Sequence, residues 1–406
     1  MHEMKDSGIA WLGNIDKRFE LKTIGNLFSI KKEIIGHDPD QVLSITQKGI
    51  KIKDTTSNEG QNAASYTHYQ IVNIGDFAMN HMDLLTGWVD ISNYQGVTSP
   101  DYRVFTLSDK KQNPEYFLRV FQLYYANRVF YAFGQGAASL GRWRLPRENF
   151  LKIAIPCPPM ELQKKINSRI NEKVCSIDAL IANQQKQIEK LKQYRQSLIT
   201  QIVTKGLNTN VPMKDSGVEW IGMIPKHWQL IRFRFIANIT TGNKDTKDAD
   251  SEGIYPFYVR SPVVEKCSEY TFDGEGILMA GDGAGAGRVF HLVDGKYAVH
   301  QRVYRFYNLK YVERELLKYY LENLFCTIMD YGSAKTTVPS VRLPMIQDFL
   351  VCVPPNNEQI QMIKLIRKQS TNLDRLITLK EQKIKKLNEY KKSIIYEYVT
   401  GKKEVV

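Results

Sequence analysis

The chain contains one segment twice. Met4-Lys5-Asp6-Ser7-Gly8, followed by Trp11-Leu12-Gly13-Asn14-Ile15, returns as Met213-Lys214-Asp215-Ser216-Gly217, followed by Trp220-Ile221-Gly222-Met223-Ile224. A repeat of that extent marks a structural unit, so the 406 residues are expected to fold as a tandem pair with approximate two-fold symmetry inside one polypeptide. A second landmark repeats at another offset: Pro158-Pro159 and Gln163 return as Pro354-Pro355 and Gln359. The first offset is 209 residues and the second 196, so the middle of the second copy is shorter by about 13 residues. The ends of the repeat are held and the middles vary.

Each copy reads as a globular body followed by a helical arm. The bodies span 1–155 and 213–353, the arms 156–205 and 354–406, and a turn-like linker of 206–212 joins the copies. In the first arm Ile177, Ile181, Gln184, Ile188, Leu191, Arg195, Leu198 and Ile202 step by alternating fours and threes, the spacing of a coiled-coil seam. In the second, Leu373, Ile377, Lys380, Ile384, Leu387, Lys391, Ile394 and Tyr398 keep the same register at the offset of 196. Two arms in matching register are expected to pair with each other. The first arm leads from body one to body two, and by the repeat the second returns, so the pair is antiparallel with a body at each end. At 1.5 Å per residue, 30 to 40 helical residues measure roughly 45–60 Å. The fold class is therefore α+β: two mixed α/β bodies in pseudo-two-fold arrangement, separated by two long antiparallel coiled-coil helices. Within the bodies, Gln70–Ile74 and Tyr304–Tyr307 have strand character, and 114–132 and 312–329 have helical character.

Composition narrows the compartment. No run of 18 apolar residues is present and the N-terminus lacks a charged, apolar, small-residue leader pattern, which leads to the expectation of a cytoplasmic protein without a membrane span. Cys157, Cys175, Cys267, Cys326 and Cys352 are odd in number and in no metal spacing, as reduced thiols would be. The formal charge of +13 suggests a polyanionic partner, but the arms carry about +11 of it. Those basic arms suit solvated coiled-coil faces and docking surfaces for an acidic partner equally well.

Inside the bodies the signal is local. Gly134–Pro146 and Tyr331–Pro344 combine small, conformationally free residues with cations, a composition suited to loops that approach phosphates. Arginine forks can also meet guanine edges. The candidate DNA-contacting side chains are Arg103, Arg128, Tyr131, Gln135, Arg142 and Arg144 in the first body, and Tyr258, Arg260, His300, Gln301, Arg302, Lys335 and Arg342 in the second.

The assembled features resemble a known family. Both bodies open on Ser-Gly, then Trp-(Leu/Ile)-Gly. Both close on a Pro-Pro strand end and a long helix, which carries Ile177-Asp178-Ala179-Leu180-Ile181 or Leu373-Asp374-Arg375-Leu376-Ile377 and ends at Val203-Thr204 or Val399-Thr400. In this the chain, from Lys5 to Gly401, is similar to the specificity subunit of type I restriction–modification systems. One departure is visible: Asp16 stands where the second copy has Pro225, which bears only on the stiffness of a turn.

The resemblance implies that each body is a target-recognition domain contacting one part of a split stretch of double-stranded DNA, with the helices fixing the gap. It also implies that two methylation subunits dock on the helices and that restriction subunits complete the complex. The subunit itself would hold no cofactor or metal; S-adenosylmethionine, ATP and Mg²⁺ would sit on its partners. Because the bodies differ, the target should be non-palindromic.

Intrinsic catalysis finds little support. Asn113-Pro114-Glu115-Tyr116 departs at its third position from the Asn-Pro-Pro-Tyr motif of amino-methyltransferases. The run Gly281–Gly287 lacks the last glycine of G-x-G-x-x-G and is followed by a strand-like stretch, as a turn between strands would be. Asp101 and Asp109-Lys110-Lys111 loosely fit a nuclease arrangement, but the second body offers no acidic pair in the corresponding stretch. Two classes of function stand: a DNA-reading subunit of a modification enzyme, and a coiled-coil adaptor whose bodies bind proteins.

Overall fold

In the computed structural model, which describes residues 3–56, 62–136, 143–208, 210–332 and 339–405, the repeated opening segment is a β-hairpin. Strand Met4–Asp6 pairs antiparallel with Asn14–Asp16, and Met213–Asp215 with Met223–Pro225. The motif dictates the turn. Asp6 Oδ1 accepts the Gly8 N–H at 3.0 Å and Asp215 Oδ1 accepts that of Gly217 at 2.9 Å. The glycines take φ of +68° and +71°, a region that a Cβ disfavours. Leu12 and Ile15, or Ile221 and Ile224, then enter the core.

Both bodies share one framework. In the first, an antiparallel sheet runs in the order Phe28–Lys31, Arg103–Leu107, Phe77–Met79, Val89–Ile91. In the second the order is Asn238–Thr241, Val303–Tyr307, Gly276–Ala280, Phe290–Val293. A separate pair, Glu20–Thr23 with Ala154–Cys157, has its counterpart in Gln229–Arg232 with Leu350–Val353. The middles differ as the offsets require. Body one adds a hairpin, Leu43–Thr46 with Gly49–Ile52, and the pair Gln70–Val72 with Gly96–Thr98. Body two instead builds a second four-stranded sheet from Glu265–Cys267, Tyr255–Tyr258, Lys296–Val299 and Phe272–Asp273.

Each framework sheet is covered by a helix, Pro114–Ala126 in body one and Arg314–Gly332 in body two. The stretch 114–132 is shorter as a helix than its composition suggests. Arg128 adopts φ of +57°, so the helix ends at Ala126 and only a short turn, Val129–Ala132, follows. Asn113-Pro114-Glu115-Tyr116 is a helix start: Asn113 Oδ1 accepts from Glu115 N at 3.0 Å and Tyr116 N at 3.2 Å, with Pro114 in the first turn. Aromatic packing fills the core beneath. Phe28 lies edge-on to Phe77, Phe105 and Phe117 at 5.4–5.5 Å, and Phe233 meets Phe306 at 4.7 Å.

The long helices span Met160–Lys205 and Asn356–Val399, a few residues inside the expected arms because Ala154–Cys157 continues as strand and a Pro-Pro pair precedes each start. The chain divides into two units, and the division falls within the helices: residues 1–184 with 382–406, and residues 185–381. The reason is packing. The core of the first unit takes Ile166, Ile170, Val174 and Ile177 from the start of the first long helix and Ile394, Tyr398 and Val399 from the end of the second. The second unit's core takes Ile199, Ile202 and Val203 from the end of the first and Met362 and Ile366 from the start of the second. In both units the helices therefore run antiparallel. Ile177, Ile188, Leu373, Ile377 and Ile394 of the seam are buried, and Ile181, Leu191, Leu198, Ile384 and Leu387 half-buried, between exposed neighbours.

Gln163 and Gln359 join helix to body in the same way. Gln163 Oε1 accepts the Asn113 N–H at 2.9 Å while Nε2 donates to Pro158 O at 2.8 Å. Gln359 Oε1 accepts from Glu313 N at 2.7 Å, and its Nε2 donates to Pro354 O at 2.9 Å. Both amides are buried, so each satisfies backbone groups at the start of a body helix that water does not reach.

The difference between Asp16 and Pro225 goes beyond turn stiffness. Asp16 is buried, its carboxylate takes Arg18 Nη2 at 2.7 Å, and its N–H donates to Thr400 O at 3.2 Å, tying the hairpin to the end of the second long helix. Pro225 has no N–H to give. Gly401, at φ of +71°, ends that helix against Phe19, as Gly206, at +76°, ends the first against Trp228. The five cysteines are free. No helix among the described residues is long and apolar enough to cross a membrane.

Candidate nucleic-acid interface

The two basic loops are anchored at equivalent places. Leu145 N donates to His81 O at 2.9 Å, and Arg103 Nη2 donates to Leu145 O at 2.8 Å. In the second body Val341 N donates to Gly281 O at 2.8 Å, and Tyr304 OH donates to Val341 O at 3.1 Å. The turn after the third framework strand thus holds the descending limb of each loop. Arg142 and Lys335 lie outside the described residues.

In the first body the candidates stand in unlike surroundings, one buried and others exposed. Arg103 is buried, with its guanidinium 4.6 Å over the Phe150 ring and donating to Leu145 O, so its place is beneath the loop, which it holds, rather than at the surface expected of a donor to DNA. Burial pulls its pKa down to about 10. Tyr131 stacks on Trp143 at 5.4 Å, and Trp143 Nε1 donates to Tyr131 O at 2.8 Å. Gln135 and Arg144 exchange backbone hydrogen bonds across the loop base, and both are exposed, as is Arg128. Sequence reasoning missed His81, which sits at the hinge of this arrangement. Its Nδ1 is buried without a partner, and burial, reinforced by the Arg103 charge, pushes its pKa down to about 3, so the ring is neutral at pH 7.

The second body brings together residues far apart in sequence. Asp282, on the glycine-rich turn, accepts from Arg260 Nη1 at 3.1 Å through Oδ1 and pairs with Arg302 Nε at 3.8 Å through Oδ2. Gln301 Nε2 donates to Asp245 Oδ2 at 2.8 Å and is exposed, and Arg342 is exposed beside Val341. Two candidates are corrected. His300 is buried, its Nδ1 accepting the Arg302 N–H at 2.9 Å, and burial with the nearby Arg260 charge lowers its pKa. It therefore supports Arg302 from below. Tyr258 packs edge-on to Tyr297 at 5.9 Å and against His291 at 5.0 Å, a structural role in the second sheet. In the sequence Asp282 is a lone carboxylate among glycines, and only the fold brings it to Arg260 and Arg302.

Residues 225–389 match the family model described as type I restriction modification DNA specificity domain. The chain is similar to the specificity subunits of type I restriction–modification systems. The EcoDI specificity subunit of Escherichia coli is 28% identical over 34% of the chain and 30% of its own length. The MjaVIII specificity subunit of Methanocaldococcus jannaschii is 24% identical over 62% and 63%. These two matches thus span less than two thirds of either relative. The putative MjaX specificity subunit of the same organism is 22% identical over 96% of the chain and 95% of its own. A solved chain from work on complex assembly and conformational transition of the type I R-M system shares the fold, with a TM-score of 0.69 at 12% identity, covering 95% of this chain and 98% of that one.

Proposed function

We propose that this chain reads a split, non-palindromic sequence of double-stranded DNA for a type I modification and restriction complex, one part with the body of 1–155 and the other with the body of 213–353. The observation that carries the reading is that one framework is built twice and equipped differently. The sheet order and the glutamine latch are the same in both bodies, whereas the loop-bearing face holds Arg128, Gln135 and Arg144 in one and Arg260, Asp282, Gln301, Arg302 and Arg342 in the other. A protein built to bind a repeated ligand would keep its two faces alike.

In this reading the long helices set the gap between the parts and carry two methylation subunits, to which restriction subunits add. S-adenosylmethionine, ATP and Mg²⁺ belong to those partners, and this subunit supplies recognition without catalysis. Exposed cations around the loops provide the phosphate attraction that positions a duplex, and the arginine forks provide base contact. Sequence selection from a randomised duplex pool by the full chain with its methylation subunits tests this. Enrichment of one split motif is expected. An intact complex that enriches none would favour the adaptor reading.

A further inference from the structure

We infer that Asp282 positions Arg260 and Arg302 as a guanine-reading pair, so that the part of the target read by the second body contains G·C pairs contacted in the major groove. The inference rests on the DNA-reading function proposed above and adds the base class.

Three segments build the pair. Arg260 follows the strand Tyr255–Tyr258, Arg302 precedes Val303–Tyr307, and Asp282 stands on the turn after Gly276–Ala280. The turn is wedged between the two arginine-bearing segments: a Cβ on Gly281 would lie 2.8 Å from Arg302 O, and one on Gly285 would lie 2.3 Å from Arg260 O. Gly281 N also donates to Arg302 O at 2.8 Å. The glycines are needed for this close approach. It puts one carboxylate between two guanidiniums, Oδ1 accepting a hydrogen bond from Arg260 and Oδ2 standing at ion-pair distance, 3.8 Å, from Arg302. The Asp282 side chain is 22% exposed, against 44% for Arg260 and 67% for Arg302, so the carboxylate lies behind and the guanidiniums project.

That arrangement suits a base edge better than a phosphate. A phosphate is attracted by positive charge, and Asp282 cancels part of it and repels the anion. Guanine O6 and N7 are neutral acceptors spaced for an arginine fork, and they gain from guanidiniums held near one another by a shared carboxylate. The carboxylate is also an acceptor of the kind that meets cytosine N4–H₂ on the same pair. In the first body Met82 follows His81 where Asp282 follows Gly281, matched through the hydrogen bonds of Leu145 and Val341, so the device belongs to one body.

The test is sequence selection by the full chain with its methylation subunits, comparing the natural protein with Asp282→Asn, Arg260→Lys and Arg302→Lys, with thermal unfolding of each complex recorded alongside. The lysine variants keep the charge and lose the fork. The expected result is a split motif with at least one required G·C pair in one half. Each variant should lower preference at those positions by roughly 5- to 100-fold, leaving the other half unchanged. A motif without G·C in the affected half, or variants that weaken binding equally for all sequences, would overturn the guanine assignment while leaving the DNA-reading function standing. Selection of no motif by the natural protein would overturn both.

Discussion

Lys391 Nζ lies 2.7 Å from Asp178 Oδ1, and the repeat-mates of these two residues, Arg195 and Asp374, form the equivalent pair at 2.5 Å. Along the first long helix the partners descend from 195 to 178 while along the second they rise from 374 to 391, by the same number of residues, as an antiparallel register demands. Each pair joins the two long helices within its own unit. Reversing one charge, Lys391→Glu or Asp178→Lys, should destabilise by about 0.5 kcal/mol, the pair being partly exposed, and the double reversal should recover most of it. Urea unfolding of the four proteins in a double-mutant cycle checks this; additive losses would mean that the pair contributes nothing.

Replacing Gln163 or Gln359 by Leu should cost more, about 2–3 kcal/mol, because a backbone N–H and a carbonyl are left buried without partners. The measurement is the shift in urea midpoint at constant slope. A loss near zero would show that water reaches both sites.

His81 makes the first body sensitive to acid. Its folded pKa, about 3, lies below the ordinary histidine value of about 6.5. The unfolded chain therefore binds the proton first as pH falls. Stability from the neutral ring is complete above about pH 6.5 and is lost as pH drops towards 3, by up to about 1.4 kcal/mol per unit. His81→Gln should flatten the stability profile between about pH 6 and 4. An unchanged acid limb would assign the sensitivity elsewhere.

A helical turn of about four residues added to both long helices, between Asp178 and Arg195 and between Asp374 and Lys391, keeps every body contact and lengthens the seam. The selected motif should keep both halves and change its gap. An active complex with an unchanged gap would show that the helices do not set the spacing.

Gly401→Ala should destabilise by about 1–3 kcal/mol, and by more than Gly206→Ala. Both residues have positive φ, but a Cβ on Gly401 would meet Asp16 Cβ at 2.5 Å, whereas one on Gly206 meets the Trp228 ring edge at 3.0 Å. Thermal unfolding of the two variants ranks them.

Local periodic features were legible before the structure. The seam positions from Ile177 to Ile394 are spaced by helical geometry alone, and the repeated Asp-Ser-Gly and Pro-Pro-Gln segments form the same hairpins and latches in both copies. What depends on distant pairing was not legible. Arg103 and His300 look like surface donors by residue type, yet their strands place them beneath a loop. Asp282 acquires its role from Arg260 and Arg302, neither of which is its neighbour in sequence. Residues 137–142 and 333–338, which include Arg142 and Lys335, lie outside the described residues.

The bond from Asp16 N–H to Thr400 O closes a circuit. The end of the second long helix packs on the first hairpin through Gly401 and Phe19, as the end of the first packs on the second hairpin through Gly206 and Trp228. Each long helix thus stops against an aromatic ring of a hairpin's own body, so a change at either glycine loosens the helix end and the hairpin together.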